Sequence, residues 1–320
     1  MAASSPTPRV DRCLRITLVG AGTIGLSFAA LHLGFLESPS QLTILDTRPD
    51  LAEYVASTLP KYLSASQQGC EASLRLTDSL PDAVRDADII QEQGPENLAF
   101  KASIWNEVVK HARPDALLWS STSGITASAQ AEAAGLGEAA AARLVVVHPY
   151  NPPHIMPLLE VVPGAKTNAE TVEKTLAFWK ARGREPVVLK KECPGFVANR
   201  LAFALLRESI HLVNEGIVSV EELDRVVQAS MGPRWAVAGP FKSYHAGGGP
   251  GGLDAFFKNI GGTVQGCWDD SGKESVGGGW EPNVFRQAQE AYGVVDTAQR
   301  DRLTRDVLDA AQDGKINRNS

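Results

Sequence analysis

Leu14–Gly25, LRITLVGAGTIG, decides the fold. A β-branched apolar run passes without a spacer into Gly20, Gly22 and Gly25, and then into an apolar segment with small residues at Ala29 and Ala30. That order supplies a tight turn, a close backbone approach for a pyrophosphate and a helix N-terminus aimed at it. The pattern GxGxxG has little force alone, because Gly247, Gly249 and Gly252 satisfy it too. No strand-like run precedes that second match and Pro250 lies inside it, so context keeps the first and discards the second. Gly20, Gly22, Thr23, Ile24 and Gly25 are therefore candidate cofactor residues. Asp46 ends the next β-branched run, 26 residues after Gly20, where a carboxylate receives the adenosine ribose hydroxyls and repels a 2′-phosphate. That favours NAD over NADP. Arg48 is open to three readings: binding a 2′-phosphate, stacking on adenine, or standing in solvent.

Outward from that stretch, the runs LRITLV, LTILD, DADIIQEQ, ALLWSST, RLVVVH, LLEVV and PVVL alternate with helix-like segments as far as Leu189. This is the signature of a parallel sheet covered on both faces. Thr167 and Glu170 read as the capping box of one helix, with Val172, Leu176 and Trp179 on one face and Gly183 at its end. After Lys191 the strand-like runs stop. Residues 196–217 read as a helix with apolar residues at 197, 201, 205 and 212. Ser219 and Glu222 cap a second helix, whose buried stripe is Leu223, Val226 and Val227 and whose end is Gly232. The glycine-rich segments 246–252 and 276–280 read as loops, the alanine-rich stretch 131–142 as a plain helix, and residues 1–12 and 313–320 as frayed tails. The expected fold class is α/β, a Rossmann-type doubly wound sheet over residues 1–191 followed by an all-helical C-terminal domain over 192–320.

A chain of 320 residues with 43% hydrophobic content exceeds one ordinary domain. Its net charge of -6 gives no field that would draw nucleic acid or an anionic membrane. No run approaches the ~18 apolar residues of a membrane span, and MAASSPTPRVDRC lacks the apolar core of a secretory signal. Cys13, Cys70, Cys193 and Cys267 show no CxxC spacing, so neither a metal site nor a disulfide framework is expected, and the reducing cytoplasm is the expected compartment.

None of the five tyrosines has Lys four residues later, which removes the Tyr-x-x-x-Lys chemistry of short-chain dehydrogenases, and no second flavin fingerprint follows the glycines. A proton acceptor of another kind stands in His148–Glu160, HPYNPPHIMPLLE. His148 ends an apolar strand, at the sheet edge where doubly wound folds bind ligands. An imidazole there can take a hydroxyl proton as hydride leaves the same carbon. Glu160 can fix its tautomer and stabilise the imidazolium if the prolines and Asn151 reverse the chain. A histidine at a strand end is also an ordinary structural residue, so the spacing alone leaves both readings open.

Six ordered motifs, GAGTIG, QEQGPENLAFK, SSTSGI, HPYNPPHIMPLLEVVPG, ECPGFVANRL and NEGIVSVEELD, run from residue 20 to 224. In these the whole chain resembles the 3-hydroxyacyl-CoA dehydrogenase family, and more closely its branch acting on free 3-hydroxy acids, the L-gulonate 3-dehydrogenase, lambda-crystallin and carnitine dehydrogenase type. The resemblance implies NAD-dependent interconversion of an L-3-hydroxy acid and its 3-keto acid. His148 is then the general base with Glu160 its partner, Ser123 a donor to the substrate oxygen, and Asn199 the residue that completes that site. Glu96 and Lys101 match positions along the nicotinamide and ribose side of the cofactor. Without the resemblance, Ser123 is equally a helix cap and Asn199 a backbone partner.

The segment MGPRWAVAGPFKSYHAGGGPGGLDAFF is nearer the free-acid branch than the acyl-CoA branch, and its glycines depart from the sugar-acid members toward the carnitine type. Arg234 suits a substrate carboxylate, and Trp235 and Tyr244, with Phe241, offer aromatic faces to a quaternary ammonium. An Arg-Trp pair past a helix is also a common packed corner. A CoA thioester would need cations for its phosphates, for which Lys190 and Lys191 are the candidates, but two lysines at a strand end are more often simply solvated. A non-catalytic NAD-binding protein is the reading from another class; the presence of His148, Glu160, Ser123 and Asn199 argues against it. The helical domain is also expected to form a homodimer, as the family does, with a small-molecule 3-hydroxy acid as the other partner.

Overall fold

The computed structural model describes residues 13–316. The expected tails 1–12 and 317–320 lie outside the described residues, while the last helix continues to Ile316, through the start of the second expected tail. The described chain divides into two compact units, the first ending at Arg200 and the second beginning at Leu201.

The first unit is built on one sheet of eight strands: β1 Ile16–Val19, β2 Leu42–Leu45, β3 Arg75–Thr77, β4 Ile89–Glu92, β5 Leu117–Ser120, β6 Leu144–Pro149, β7 Leu158–Pro163 and β8 Glu185–Val188. Its order is β3-β2-β1-β4-β5-β6-β7-β8. The first six strands are parallel, β7 turns antiparallel against β6, and β8 runs parallel to β7. The order reverses direction between β1 and β4, which opens a crevice at their carboxyl ends. Helices α1 Thr23–Leu33, α2 Leu51–Thr58, α3 Leu80–Val84, α4 Leu98–His111, α5 Ala127–Ala133, α6 Glu138–Ala141 and α7 Ala169–Lys180 complete the unit.

Strands this apolar must be covered on both faces. Ile16, Leu18, Leu42 and Ile44 pack with Phe28 of α1, Trp119 and Trp179 of α7; Val19, Leu45, Ile90, Leu118 and Val146 pack on the other side with Trp105 and Val108 of α4. Each large side chain so buried is worth roughly 1.5–3 kcal/mol. Trp119 also donates to Thr175 Oγ1 at 3.0 Å, which satisfies the polar atom that its burial would otherwise strand.

Several expectations about element ends are corrected. Thr167 does not cap α7: its hydroxyl donates to Leu144 O, and Asn168 accepts from Thr171 N instead. Both are capping residues, and the pull of Leu144 decides between them. The alanine-rich helix is two short ones, because Gly135 adopts φ 62 and breaks the run.

The second unit is helical. Helix α8 Ala198–Asn214 carries the chain into it, followed by α9 Val220–Ala229, α10 Met231–Val237, α11 Pro240–Gly247, α12 Gly252–Asp270, α13 Glu281–Tyr292 and α14 Thr297–Ile316. Ser219 and Glu222 form the expected capping box. Gly232 does not end α9; it lies inside α10. Val226 belongs to no buried stripe, being 54% exposed, and Leu201, Phe203, Leu206, Phe241 and Trp268 are exposed as well. Amphipathic spacing marks one apolar side of a helix and says nothing of what covers it. No helix among the described residues is long and apolar enough to cross a membrane.

Candidate active site

Gly20 leaves β1 at φ 109, and a side chain there would press on the Gln93 backbone at 3.2 Å. Gly25 has no room either: an added Cβ would stand 2.0 Å from Gly20 O, so the turn and the first turn of α1 close on each other. Gly22 faces open space, with nothing within 4 Å of an added Cβ. It is also the N-cap of α1 and supplies no side-chain bond, so the amides of Thr23 and Ile24 keep their donors for a ligand. Behind them both polar atoms of the Gln93 side chain are buried without a partner. A glycine cradle, uncapped amides and an orphaned amide at one sheet edge fit the pyrophosphate half of a dinucleotide.

Asp46 follows β2 and accepts from Ala21 N at 2.7 Å and Arg48 N at 3.0 Å, which places its carboxylate at the mouth of the glycine turn. The Arg48 guanidinium is engaged elsewhere, bonded to Asp50 at 2.8 Å and lying 3.4 Å over the Tyr54 ring. A 2′-phosphate would thus meet Asp46 and an already paired arginine, which agrees with NAD.

The second cluster grows from β6 and β7. Their antiparallel register sets His148 opposite Glu160. Directly opposed residues share a face of the sheet, and His148 Nδ1 lies 2.9 Å from Glu160 Oε2 with both side chains at most 5% exposed. The turn between the strands is pinned from outside: the Ser27 hydroxyl of α1 lies 2.7 Å from His154 Nδ1 and accepts from His154 N, and Arg184 donates to Pro153 O. The other oxygen of Glu160 accepts from Val197 N at 2.8 Å and Ala198 N at 3.1 Å, the amides that open α8. Burial raises the Glu160 carboxyl, but the His148 bond and these two amides outweigh it and hold it below its ordinary value of 4.5. Phe196 caps this corner. It is buried at φ 51, with its ring 5.2 Å from the His148 ring.

Ser123 stands three residues beyond β5, the strand next to β6, and is exposed. Asn199 in the first turn of α8 donates to Ser123 O at 3.4 Å. His148, Glu160, Ser123 and Asn199 thus converge through bonds that tie the start of α8 to both the hairpin and the Ser123 loop. Glu96 accepts from Thr122 Oγ1, Ser123 N and Gly124 N at 2.5, 3.1 and 2.9 Å and so shapes that loop. Lys101 is fully buried, its ammonium on Glu92 and 3.8 Å from Glu96. Of the expected cofactor pair, Glu96 is the one with exposed surface. Arg234 and Trp235 are exposed on α10, and Tyr244, 48% exposed on α11, packs its ring on Phe256 at 5.0 Å.

Sequence reasoning missed Glu92, Gln93, Thr122 and Phe196. A carboxylate inside IIQEQ was the available signal for Glu92. Gly-Phe after a proline hinted at the left-handed turn at Phe196.

The profile of the 3-hydroxyacyl-CoA dehydrogenase NAD binding domain matches residues 15–193, and that of the 3-hydroxyacyl-CoA dehydrogenase C-terminal domain matches residues 195–268. The chain is 37% identical over 267 residues to an L-carnitine dehydrogenase of Pseudomonas putida, covering 82% of this chain and 81% of that one. It is 35% identical over 266 residues to a 3-hydroxyacyl-CoA dehydrogenase of Gibberella moniliformis, covering 80% of each. Among solved structures it is similar to 5-formyl-3-hydroxy-2-methylpyridine 4-carboxylic acid 5-dehydrogenase, an NAD+-dependent dismutase, at 29% identity and a TM-score of 0.73 over 94% of this chain and 99% of that one.

Proposed function

The chain belongs to the 3-hydroxyacyl-CoA dehydrogenase family, and on that premise we propose that it oxidises a free L-3-hydroxy acid at C3, reversibly, with His148 as general base. NAD, when bound, supplies the hydride acceptor at C4 of its nicotinamide. The observation that carries this reading is the opposed pair of His148 and Glu160, fastened through the amides of Val197 and Ala198 to the helix that presents Asn199.

With Nδ1 on Glu160, His148 Nε2 is the nitrogen that takes the hydroxyl proton, and returns it in the reductive direction. Glu160 fixes the tautomer and balances the imidazolium that forms. A positioned base of this kind contributes about 10²–10⁴-fold. Ser123 and Asn199 donate to the oxygen at C3, whose charge grows as its proton leaves. Gly20, Gly22, Thr23, Ile24, Gly25 and Asp46 hold the pyrophosphate and adenosine end, and Glu96 the ribose beside the nicotinamide.

For the substrate's far end, Arg234 is the proposed carboxylate partner, and Trp235 and Tyr244 the faces for a quaternary ammonium; the L-carnitine dehydrogenases among the relatives support this assignment. The helical unit is the proposed closing and dimerising domain, which the exposed apolar residues of α8 and α12 support. The four free cysteines favour a reducing cytoplasm.

One experiment tests the reading. NADH absorbance is followed with NAD or NADP offered against L-carnitine, L-gulonate and short L-3-hydroxy acids, and with NADH offered against acetoacetyl-CoA; light scattering reads whether two copies associate. Turnover of a free acid with NAD is expected. Reduction of acetoacetyl-CoA alone would make the thioester the substrate, as the name of the Gibberella relative suggests for that protein. A preference for NADP would remove Asp46 from the ribose, and silence on every substrate by a chain that still binds NADH would favour a non-catalytic role.

A further inference from the structure

Beneath the Ser123 loop lies a buried ion pair that the reaction above leaves unused. Lys101 Nζ on α4 is 2.9 Å from both oxygens of Glu92 at the end of β4, and neither side chain is more than 1% exposed. Ser120 Oγ of β5 donates to one Glu92 oxygen at 2.9 Å and Gly94 N to the other at 2.7 Å. Removing two charges from water costs more than an apolar pair of the same size, so such a pair is weak evidence for stability by itself. Burial does push the Glu92 carboxyl above its usual range, against the pull of Lys101 and its other donors.

What lies beyond the pair gives it a use. The Lys101 ammonium is also 3.8 Å from Glu96 Oε2, and the other Glu96 oxygen is the acceptor for Thr122 Oγ1, Ser123 N and Gly124 N. We propose that Glu92 is a positioning residue: it holds the Lys101 ammonium inside the sheet, Lys101 holds Glu96, and Glu96 sets the backbone of residues 122–124 and with it Ser123. The functional consequence rests on the reading of Ser123 given above; the mechanical link does not.

The charged groups facing Lys101 among the described residues are Glu92 from β4 and Glu96 from the segment before α4. Without the Glu92 carboxylate, the Lys101 ammonium loses its two partners at 2.9 Å and keeps only the 3.8 Å contact to Glu96, so its position is no longer fixed. Glu96 then loses its anchor, and the Ser123 and Gly124 amides lose a held acceptor. Glu92→Gln should therefore loosen the loop, and Glu92→Gln/Lys101→Met should loosen it no further, because both changes act through the same contacts. Glu92→Asp keeps the charge and should retain most of the protection.

The test is hydrogen exchange of the Ser123 and Gly124 amides in the full chain at about pH 7, corrected for intrinsic rates, with the β5 amides as reference. In Glu92→Gln the two loop amides should gain exchange rate on the order of tenfold more than the β5 amides do. Loop amides as protected as in the wild type, loosening no greater than that of β5, or an excess as large in Glu92→Asp as in Glu92→Gln would each overturn the proposal. Should Glu92→Gln fail to fold, Lys101→Met reads the same link, and an unchanged loop in that variant would overturn it equally. Exchange is read without substrate or cofactor, so a chain that turns over no free hydroxy acid would end the functional reading while leaving this one to its own result.

Discussion

His148 and Glu160 in the first unit lie 2.9 Å apart, and His211 and Glu274 in the second lie 2.7 Å apart. The two pairs have the same chemistry and nearly the same length, yet their surroundings differ. The first stands on paired strands, at most 5% exposed, and its carboxylate accepts two further bonds from the start of a helix. The second joins α8 to the segment after α12; its side chains are 22% and 15% exposed, and Glu274 Oε2 has no partner. A histidine beside a carboxylate is therefore no site in itself. What sets the first pair apart, and what the proposed catalysis rests on, is its enclosure on paired strands, with the Asn199 side chain bonded to Ser123 O beside it.

The comparison breaks first at the largest effect. His148→Ala should lower kcat by about 10³-fold while NADH affinity, read by fluorescence titration, stays close to wild type. Glu160→Gln should lower it by about 10²-fold, because the imidazolium loses its counter-charge while its amide still accepts from α8. Although burial raises it, the His148 bond and the α8 amides hold Glu160 below its ordinary value, so it stays a carboxylate to lower pH than a free glutamate does. Comparable turnover in His148→Ala would end the assignment and put the two pairs on the same footing.

A third histidine sharpens the contrast between function and packing. His32 of α1 is fully buried, stacked on Phe28 and tilted against Trp179, with Nε2 2.9 Å from Gln91 Oε1 and, among the described residues, no carboxylate paired with it. Burial drives its pKa down to about 4. The unfolded chain, at 6.5, then binds a proton that the folded chain refuses, so stability falls as pH drops from 6.5 toward 4. At roughly 1.4 kcal/mol per unit this amounts to about 3 kcal/mol. His32→Gln, which cannot take that proton, should be less stable than wild type at pH 7 but lose about 3 kcal/mol less on acidification. Parallel acid slopes in urea unfolding would show that His32 is not buried as described.

How much of this was legible depends on whether the signal was local. β-Branched runs bounded by turn residues announced seven strands; β3 escaped because Arg75–Thr77 is three residues of an edge strand with little buried. Alternation has no direction, so the reversal at β7 was legible only through the prolines and Asn151 before it, and it is what puts Glu160 opposite His148. The motif residues of the first unit came together because their motifs end strands or start helices at one edge of the sheet, whereas NEGIVSVEELD belongs to the second unit. Glu92 was passed over because a carboxylate at a strand end reads as solvent-facing until Lys101 and Ser120 are seen to close over it. In the second unit the apolar spacing of α9 was read as burial, which spacing cannot decide.

The smallest effect tests the second pair directly. The Glu274 bond raises the pKa of His211, with Glu208 and Glu215 adding to it. A raised folded value means that the folded chain holds the proton more tightly, so the stabilisation is fully present below 6.5 and is lost as pH rises through that higher value. The pair is partly open to solvent, so its contribution is screened and small. His211→Gln should therefore lower Tm slightly at pH 6, converge with wild type as pH rises past the His211 value, and change kcat by no more than about twofold, as expected of a surface clasp. A Tm difference that grew with pH would reverse the sign of the assigned shift. A collapse of turnover in His211→Gln with NADH binding intact would mean that the two pairs share one function, and would undo the distinction drawn from their surroundings.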